Sequence, residues 1–166
     1  QVDELILVDI MATAEKRCPD FDSVRDFSAD CFVPLTVGGG ITTVQSVRDL
    51  LDAGADKISI NSIAVKNPSF ITELAKEFGS QCVVVAVDTK YVNENWKVFV
   101  HGGRTETDLF TYEWVKKVES LGAGEILLTS MNNDGMKEGF AIELTKKVCE
   151  LVSIPVIASG GAGSLD

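Results

Sequence analysis

Residues 33–40 read VPLTVGGG, and residues 154–161 read IPVIASGG, at an offset of 121 positions. A second pair of segments has the same offset, ELILVD at residues 4–9 and EILLTS at residues 125–130. Each segment is an apolar run that ends in small or polar residues. Two matches at one offset indicate an internal duplication. Its period is about half of the roughly 250 residues of an eight-stranded barrel.

Short apolar runs alternate with amphipathic stretches along the chain, a pattern typical of βαβ units and a parallel sheet. We predict six such strands, at residues 4–9, 33–37, 56–60, 82–88, 125–130 and 154–158. We predict helices near residues 20–30, 43–53, 68–78, 108–121 and 140–152. Residues 90–103 interrupt this rhythm, because Asn93-Glu94-Asn95 lies between two β-prone runs and indicates a small hairpin after the fourth strand.

The duplication decides between two α/β folds. A doubly wound open sheet gives no reason for a repeat of four βα units, whereas a (β/α)8 TIM barrel divides into two such halves. The six predicted strands are two fewer than a barrel has. We therefore expect residues 1–166 to form one partial TIM-barrel domain with the second to seventh strands, the first and last βα units being absent from this chain.

The composition excludes several classes of partner. The chain has 166 residues, 15 of them basic and 25 acidic, and its formal net charge is −10. Nucleic acids and anionic membranes are bound through basic patches, so we expect neither as a partner. No apolar run is long enough to span a bilayer. The four cysteines form no CxxC pair and the chain has one histidine. We expect no metal, no cofactor and a reduced, cytoplasmic protein.

The active sites of barrels lie at the carboxyl ends of the strands. Two glycine-rich turns occur there in equivalent positions of the repeat, at residues 38–40 and 159–161. The backbone N–H groups of such turns bind phosphate, although each turn taken alone is also explained as a tight connection. Together they predict two phosphate sites and an elongated bisphosphate substrate. The candidate residues in these turns are Gly39, Gly40, Ser159, Gly160 and Gly161.

Four polar residues end the other strands. Asp9 and Asp88 each close an apolar run, where a carboxylate is costly unless it serves a purpose. Each is a candidate general acid or base, and the alternative for each is a carboxylate that caps the next loop. Asn61 and Thr129 end two further strands and are candidates for contact with the substrate.

Three charged residues begin strands at the opposite end of the predicted barrel: Glu4, Lys57 and Glu125. Period-two alternation puts Lys57 on the face of Asn61 and Glu125 on the face of Thr129. If the latter two side chains point into the mouth of the barrel, the charges point into its floor. Such a group is either a plain ion-pair plug or a gate for a small polar molecule.

Seven segments resemble the cyclase family of imidazole glycerol phosphate synthases, and together they run over nearly the whole chain. They are DELILVDI (3–10), TVGGGI (36–41), GADKISIN (54–61), FGSQ (78–81), VVAVDTK (84–90), GAGEILLTS (122–130) and ASGGAG (158–163). The resemblance implies a (β/α)8 barrel that forms a heterodimer with a glutaminase subunit. Ammonia from the glutaminase crosses the barrel and attacks a bisphosphorylated ribulosyl-formimino carboxamide nucleotide. The products are imidazole glycerol phosphate and aminoimidazole carboxamide ribonucleotide.

The resemblance also implies roles for particular residues. The general acid or base of the family falls on Asp88, and its aspartate partner falls on a strand that this chain lacks. The ammonia gate falls on Glu4, Lys57 and Glu125, which favours the gate over the plug.

The resemblance places two phosphate sites on this sequence. One falls on Gly40, Asn61 and Ser62. The other falls on Asp134, Gly135 and Gly161.

Several positions depart from the family. Asn132 stands in place of an aspartate near the substrate, Gly102 lacks a serine hydroxyl, and Met136 replaces a threonine. Residues 12–35 also resemble paralogues found with surface-polysaccharide genes. Two alternatives therefore stay open. One is an ammonia-channelling partner of a sugar amidotransferase in lipopolysaccharide biosynthesis, without cyclase activity. The other is a non-catalytic phosphate-binding barrel.

Overall fold

The computed structural model describes residues 5–8, 35–131 and 138–159, and the helix predicted near residues 20–30 lies outside them. The described strands are β1 (Leu5–Val8), β2 (Leu35–Gly38), β3 (Lys57–Ile60), β4 (Val83–Val92), β5 (Asn95–Val100), β6 (Thr105–Phe110), β7 (Glu125–Ser130) and β8 (Val156–Ser159). The described helices are α1 (Val44–Ala53), α2 (Ser62–Lys66), α3 (Ser69–Phe78), α4 (Thr111–Leu121) and α5 (Glu138–Leu151). Among these helices, none is long and apolar enough to cross a membrane.

Six of the strands form one curled parallel sheet in the order β1-β2-β3-β4-β7-β8. Each strand pairs with the next parallel strand along the chain, so the strand order never reverses. A doubly wound sheet contains such a reversal, whereas a barrel does not. The prediction of an incomplete (β/α)8 barrel is confirmed.

The main core lies between the outer face of this sheet and the helices. On β4, Val83, Val85 and Val87 alternate outward and are fully buried. They face a helical layer to which α1 contributes Val47 and Leu50, which share one side of that helix. Burying a side chain of this kind contributes roughly 1.5–3 kcal/mol, so this layer supplies most of the stabilisation that holds the strands in register.

The inner face of the sheet carries smaller and more polar side chains. The strand register aligns Gly38 with Ser59 and Ser59 with Val84, so these residues form one row across three strands. A Cβ at Gly38 would overlap the Ser59 hydroxyl, so only glycine leaves room for that side chain. At this level the interior is filled by a small hydroxyl group in place of a large apolar one.

The fourth strand is longer than its neighbours and continues above the barrel. Its first half pairs with β3 and β7, and its second half pairs with the antiparallel strand β5. The predicted hairpin is therefore confirmed, and β6 adds a third strand to it. The helix predicted at residues 108–121 was wrong over its first three residues, because residues 108–110 belong to β6. Threonine and aromatic residues favour an extended backbone there.

We predict that Gly38→Ala destabilises the protein by about 1–3 kcal/mol, because the added methyl group overpacks the row that contains Ser59. Removing the hydroxyl with Ser59→Ala in the same protein restores part of the loss. Urea unfolding of the two single variants and the double variant measures this coupling. Strictly additive free energies of unfolding would show that the two residues do not compete for the same space.

Candidate active site

Asn61 and Asp88 meet at the carboxyl end of the parallel sheet. Asn61 directly follows β3, and Asp88 lies one residue before the last pair that β4 forms with the parallel strand β7. Because β3 and β4 are parallel neighbours, their carboxyl ends lie side by side. The Asn61 amide nitrogen, Nδ2, donates a hydrogen bond of 3.0 Å to Asp88 Oδ2. The predicted catalytic residue and a predicted substrate residue therefore form one unit.

The environment of Asp88 changes its acidity. Burial raises the pKa of the Asp88 carboxyl, and the hydrogen bond from Asn61 partly opposes the rise. A carboxyl group with a raised pKa keeps its proton at a higher pH than an exposed aspartate does. Such a group both donates and accepts a proton more readily near neutral pH, as acid–base catalysis requires.

The Asn61 amide has a second polar atom, which has no partner in the described part of the chain. Its oxygen, Oδ1, is buried and accepts no hydrogen bond from any described residue. An unsatisfied buried acceptor costs roughly 1–3 kcal/mol, so such atoms are expected where a ligand supplies the missing donor. This side chain therefore offers an acceptor to a ligand, whereas a phosphate requires a donor. The amide oxygen is therefore not a group that binds phosphate.

The first glycine-rich turn lies beside this pair, because it follows β2, the neighbour of β3. Gly39 and Gly40 have φ values of 100° and 71°, in the region that favours glycine. Helix α1 begins four residues after Gly40, and its N-cap Thr43 accepts a hydrogen bond of 3.1 Å from the Ser46 N–H. Thr43 thereby satisfies one of the N–H groups that have no partner within the helix at the start of α1.

Ser62 contacts the turn that joins β5 to β6. Its hydroxyl oxygen accepts a hydrogen bond of 3.1 Å from the backbone N–H of His101, at the turn between β5 and β6. His101 is exposed, and its φ is 56°, a left-handed value that is uncommon for a residue with a side chain. The hairpin therefore reaches back to the predicted phosphate turn and forms one side of the mouth.

Thr129 and Ser159 lie at the same end of the sheet. Thr129 pairs with Asp88 on one side and with Ser159 on the other. Parallel partners in register share a face, so Thr129 projects to the same side of the sheet as Asp88. The structure thus brings Asn61, Asp88 and Thr129 to one end of one face.

Lys57 and Glu125 form an ion pair at the opposite end of this face, with Lys57 Nζ 2.7 Å from Glu125 Oε1. Their side chains are 25% and 9% exposed. β4 lies between the strands that carry them, so the ion pair crosses the inner face above Val84, which pairs with Glu125. The two charges that the sequence assigns to the floor therefore contact each other, at the end of the inner face opposite to Asn61 and Asp88.

Six predicted site residues lie outside the described part of the chain. Glu4 belongs to the predicted gate. The others were assigned to phosphate or substrate binding: Asp9, Asp134, Gly135, Gly160 and Gly161.

Two contacts in this site have no signal in the sequence. The hydrogen bond from Asn61 to Asp88 follows from the register of β3 and β4, which spacing along the chain does not specify. The contact between His101 and Ser62 joins residues 39 positions apart through the hairpin. The break in the strand–helix rhythm indicates the hairpin but not where its tip lies.

Comparison with known proteins agrees with this architecture. The family model described as histidine biosynthesis protein matches residues 1–166. A protein of Hydrogenobaculum sp. (strain Y04AAS1), named imidazole glycerol phosphate synthase subunit HisF, is 54% identical over 164 residues. The alignment covers 98% of this chain and 65% of that protein, so the chain spans just under two thirds of the length of the curated relative.

The duplicated half-barrel pattern, the incomplete barrel and a family match over every residue lead to one conclusion: the chain belongs to the histidine biosynthesis protein family.

Proposed function

We propose that the protein is the cyclase subunit of an imidazole glycerol phosphate synthase. The observation that carries the proposal is the Asn61–Asp88 pair at the carboxyl end of the sheet, where barrel enzymes perform chemistry. The similarity to the HisF subunit of Hydrogenobaculum supports it, although that alignment covers 65% of the relative. The reaction joins ammonia to a bisphosphorylated ribulosyl-formimino nucleotide and releases imidazole glycerol phosphate and aminoimidazole carboxamide ribonucleotide.

Asp88 is the general acid or base in this proposal. The steps that follow attack by ammonia move protons onto and off nitrogen, and a half-buried carboxyl with a raised pKa is suited to both directions. Asn61 has a positioning role, because its Nδ2 holds one carboxylate oxygen of Asp88. The second oxygen of Asp88 remains for the reacting atoms. The free acceptor, Asn61 Oδ1, faces the same site and suits an N–H or O–H group of the substrate.

The phosphate at one end of the substrate binds, in this proposal, at Gly39, Gly40 and the Asn61–Ser62 turn. The left-handed glycines let the backbone approach a ligand closely. The hydroxyl group of Ser62 accepts from His101 and keeps its own proton to donate. The second phosphate site of the proposal includes Thr129, Ser159 and residues beyond the described part of the chain.

Ammonia enters at the other end of the barrel, where the glutaminase subunit docks in this proposal. The inner face between the Lys57–Glu125 pair and the Asn61–Asp88 pair spans four residues of β3, or about 13 Å. Gly38 and Ser59 lie along it, and neither fills the interior with a large apolar group. An ion pair at the entrance of a narrow polar interior is suited to gating a small polar molecule.

A second candidate is an ammonia-conducting partner of a sugar amidotransferase that lacks cyclase activity. Gly102 favours it, because the hydroxyl that the cyclase family has in the hairpin turn is absent here. A Cβ at Gly102 would meet no atom within 4 Å, although the φ of 70° at this turn position favours glycine. The two functions separate in one assay. Full-length protein supplied with ammonia and the nucleotide substrate releases imidazole glycerol phosphate only if it is a cyclase.

We predict that Asp88→Asn lowers kcat of the ammonia-dependent reaction by roughly 100-fold or more, since the amide transfers no proton. Asn61→Ala lowers it less, because Asp88 stays in place without its support. Steady-state kinetics of both variants measures the difference. An Asp88→Asn enzyme with normal kcat would contradict the assignment of this residue.

We also predict that Asp88→Asn stabilises the protein at neutral pH, by roughly 1 kcal/mol. Because the pKa of Asp88 is raised in the folded state, its contribution to stability is present at low pH and is lost as the pH rises through the folded-state pKa. The advantage of the variant therefore grows with pH and vanishes near pH 4. Denaturant unfolding of both proteins across this range measures it. A constant difference at every pH would refute the raised pKa.

We predict that Lys57→Met and Glu125→Gln each lower glutamine-dependent turnover by roughly 10-fold. The same variants lower ammonia-dependent turnover by less than about threefold. Each change removes one charge of the pair at the floor, far from the chemistry. The double variant Lys57→Met/Glu125→Leu is the control, because it removes both charges together. Equal losses in both assays would indicate a plug with a structural role.

A further inference from the structure

Three lysines lie on the strands of the described structure: Lys57, Lys90 and Lys97. Two of them form ion pairs. Lys57 contacts Glu125 at 2.7 Å, and Lys97 contacts Glu106 at 3.2 Å. Lys90 has no such partner among the described residues, and its Nζ lies 4.7 Å from the centre of the Phe99 ring instead. It is therefore the strand lysine whose charge the described fold does not neutralise.

The position of Lys90 is fixed by the hairpin ladder. Lys90 lies two residues beyond Asp88 on β4, so alternation puts both side chains on the same face. Its direct cross-strand partner on β5 is Lys97, whereas Phe99 pairs with Asp88. The Lys90 side chain thus reaches diagonally back along the ladder to the ring beside Asp88. The ammonium group points toward the mouth of the barrel and not toward the hairpin turn.

Phe99 acts as the support for this cation. The ring is 7% exposed, so it holds a fixed position under the lysine side chain. The face of an aromatic ring attracts an ammonium group but leaves its hydrogen-bond donors available to a ligand. An acidic partner would instead neutralise the charge and occupy those donors. The arrangement orients Lys90 without neutralising it, in a protein whose net charge is −10.

The same strand leads directly to the phosphate turn. β5 ends at Val100, and the next residue, His101, donates its N–H to Ser62. This hydrogen bond links the end of β5, the strand that carries Phe99, to Ser62, which directly follows Asn61. The Lys90 ammonium group, which lies over a ring of β5, is therefore on the same side of the mouth as the Asn61–Ser62 turn. A phosphate at that turn requires a positive charge nearby.

We propose that Lys90, supported by the ring of Phe99, is a substrate-binding residue that neutralises the phosphate group held at the Asn61–Ser62 turn. This inference rests on the proposed function and adds a residue to which the sequence analysis assigns no role. Lys90 contributes the positive charge that the glycine turns lack. Its role is binding, because the proton transfers belong to Asp88.

The test uses the full-length protein with Lys90→Met, which keeps the length of the side chain and removes its charge. A lost charge-assisted hydrogen bond raises KM for the bisphosphate nucleotide by roughly 10- to 100-fold. We expect kcat to stay within about threefold, because the bound substrate still meets Asp88. Lys90→Arg restores most of the loss, and Phe99→Leu, which removes the supporting ring, gives an intermediate KM.

Lys97→Met is the matched control, since it removes one positive charge from the same hairpin face, directly across the ladder from Lys90. We expect its KM to change by less than about threefold, because Lys97 is already neutralised by Glu106. Equal effects of Lys90→Met and Lys97→Met would overturn the proposal, since they would show only the loss of a general positive field. An unchanged KM in Lys90→Met would overturn it as well.

A second readout does not depend on turnover. Inorganic phosphate is titrated into wild type and Lys90→Met at low ionic strength, and binding is followed by NMR shifts of backbone amides. We expect the affinity of the variant to fall roughly 10-fold. Lys90-dependent phosphate binding without any turnover would reject the cyclase and retain the subsite. Equal affinities, or no phosphate binding by wild type, would overturn the subsite.

Discussion

Parallel pairing between β3 and β4 is the constraint on which the site depends. It places Asn61 and Asp88 at adjacent strand ends, where one hydrogen bond of 3.0 Å joins them. The same pairing, continued through β7, places Lys57 and Glu125 at the opposite end of the same face. A slip of one residue in either pairing would turn these side chains toward the helices. The outward valines of β4 oppose such a slip, because it would expose them to the polar interior.

Polar and charged groups at both ends of the inner face lower the stability of the folded protein. At the floor, an ion pair that is largely removed from water gains little net stability, because desolvation offsets much of the attraction. At the mouth, burial opposes ionisation of Asp88, and Asn61 Oδ1 has no donor among the described residues. The apolar layer outside the sheet offsets both. Both ends of this polar surface lower the stability of the fold. Such a cost is expected where a protein binds a ligand at its mouth and lets a small polar molecule enter at its floor.

The sequence predicts the architecture well because its signals are periodic. The repeat at an offset of 121 identifies the barrel, and alternation along β3 and β7 is sufficient to put Lys57 and Glu125 on one face of the sheet. Periodicity does not predict the full extent of the hairpin sheet. Residues 108–110 have a helical pattern yet pair with β5, since tertiary pairing overrides a weak local preference. The five-residue helix α2 is too short to leave a periodic signal, and so the sequence does not predict it.

Lys90 shows why a sequence pattern does not predict which charged side chains have an ion-pair partner in the fold. In the sequence Lys90 ends the family-like segment VVAVDTK, but the pattern does not say whether an acidic side chain neutralises its charge. The ladder separates Lys90 from Lys97, because Glu106 pairs with Phe99 across β5 and β6 and its carboxylate lies within reach of Lys97. Lys90 is left over an aromatic ring. An anionic substrate approaching a protein of net charge −10 is repelled by the field as a whole, so binding depends on local groups. Glycine turns supply dipoles for this purpose, and Lys90 supplies a full charge.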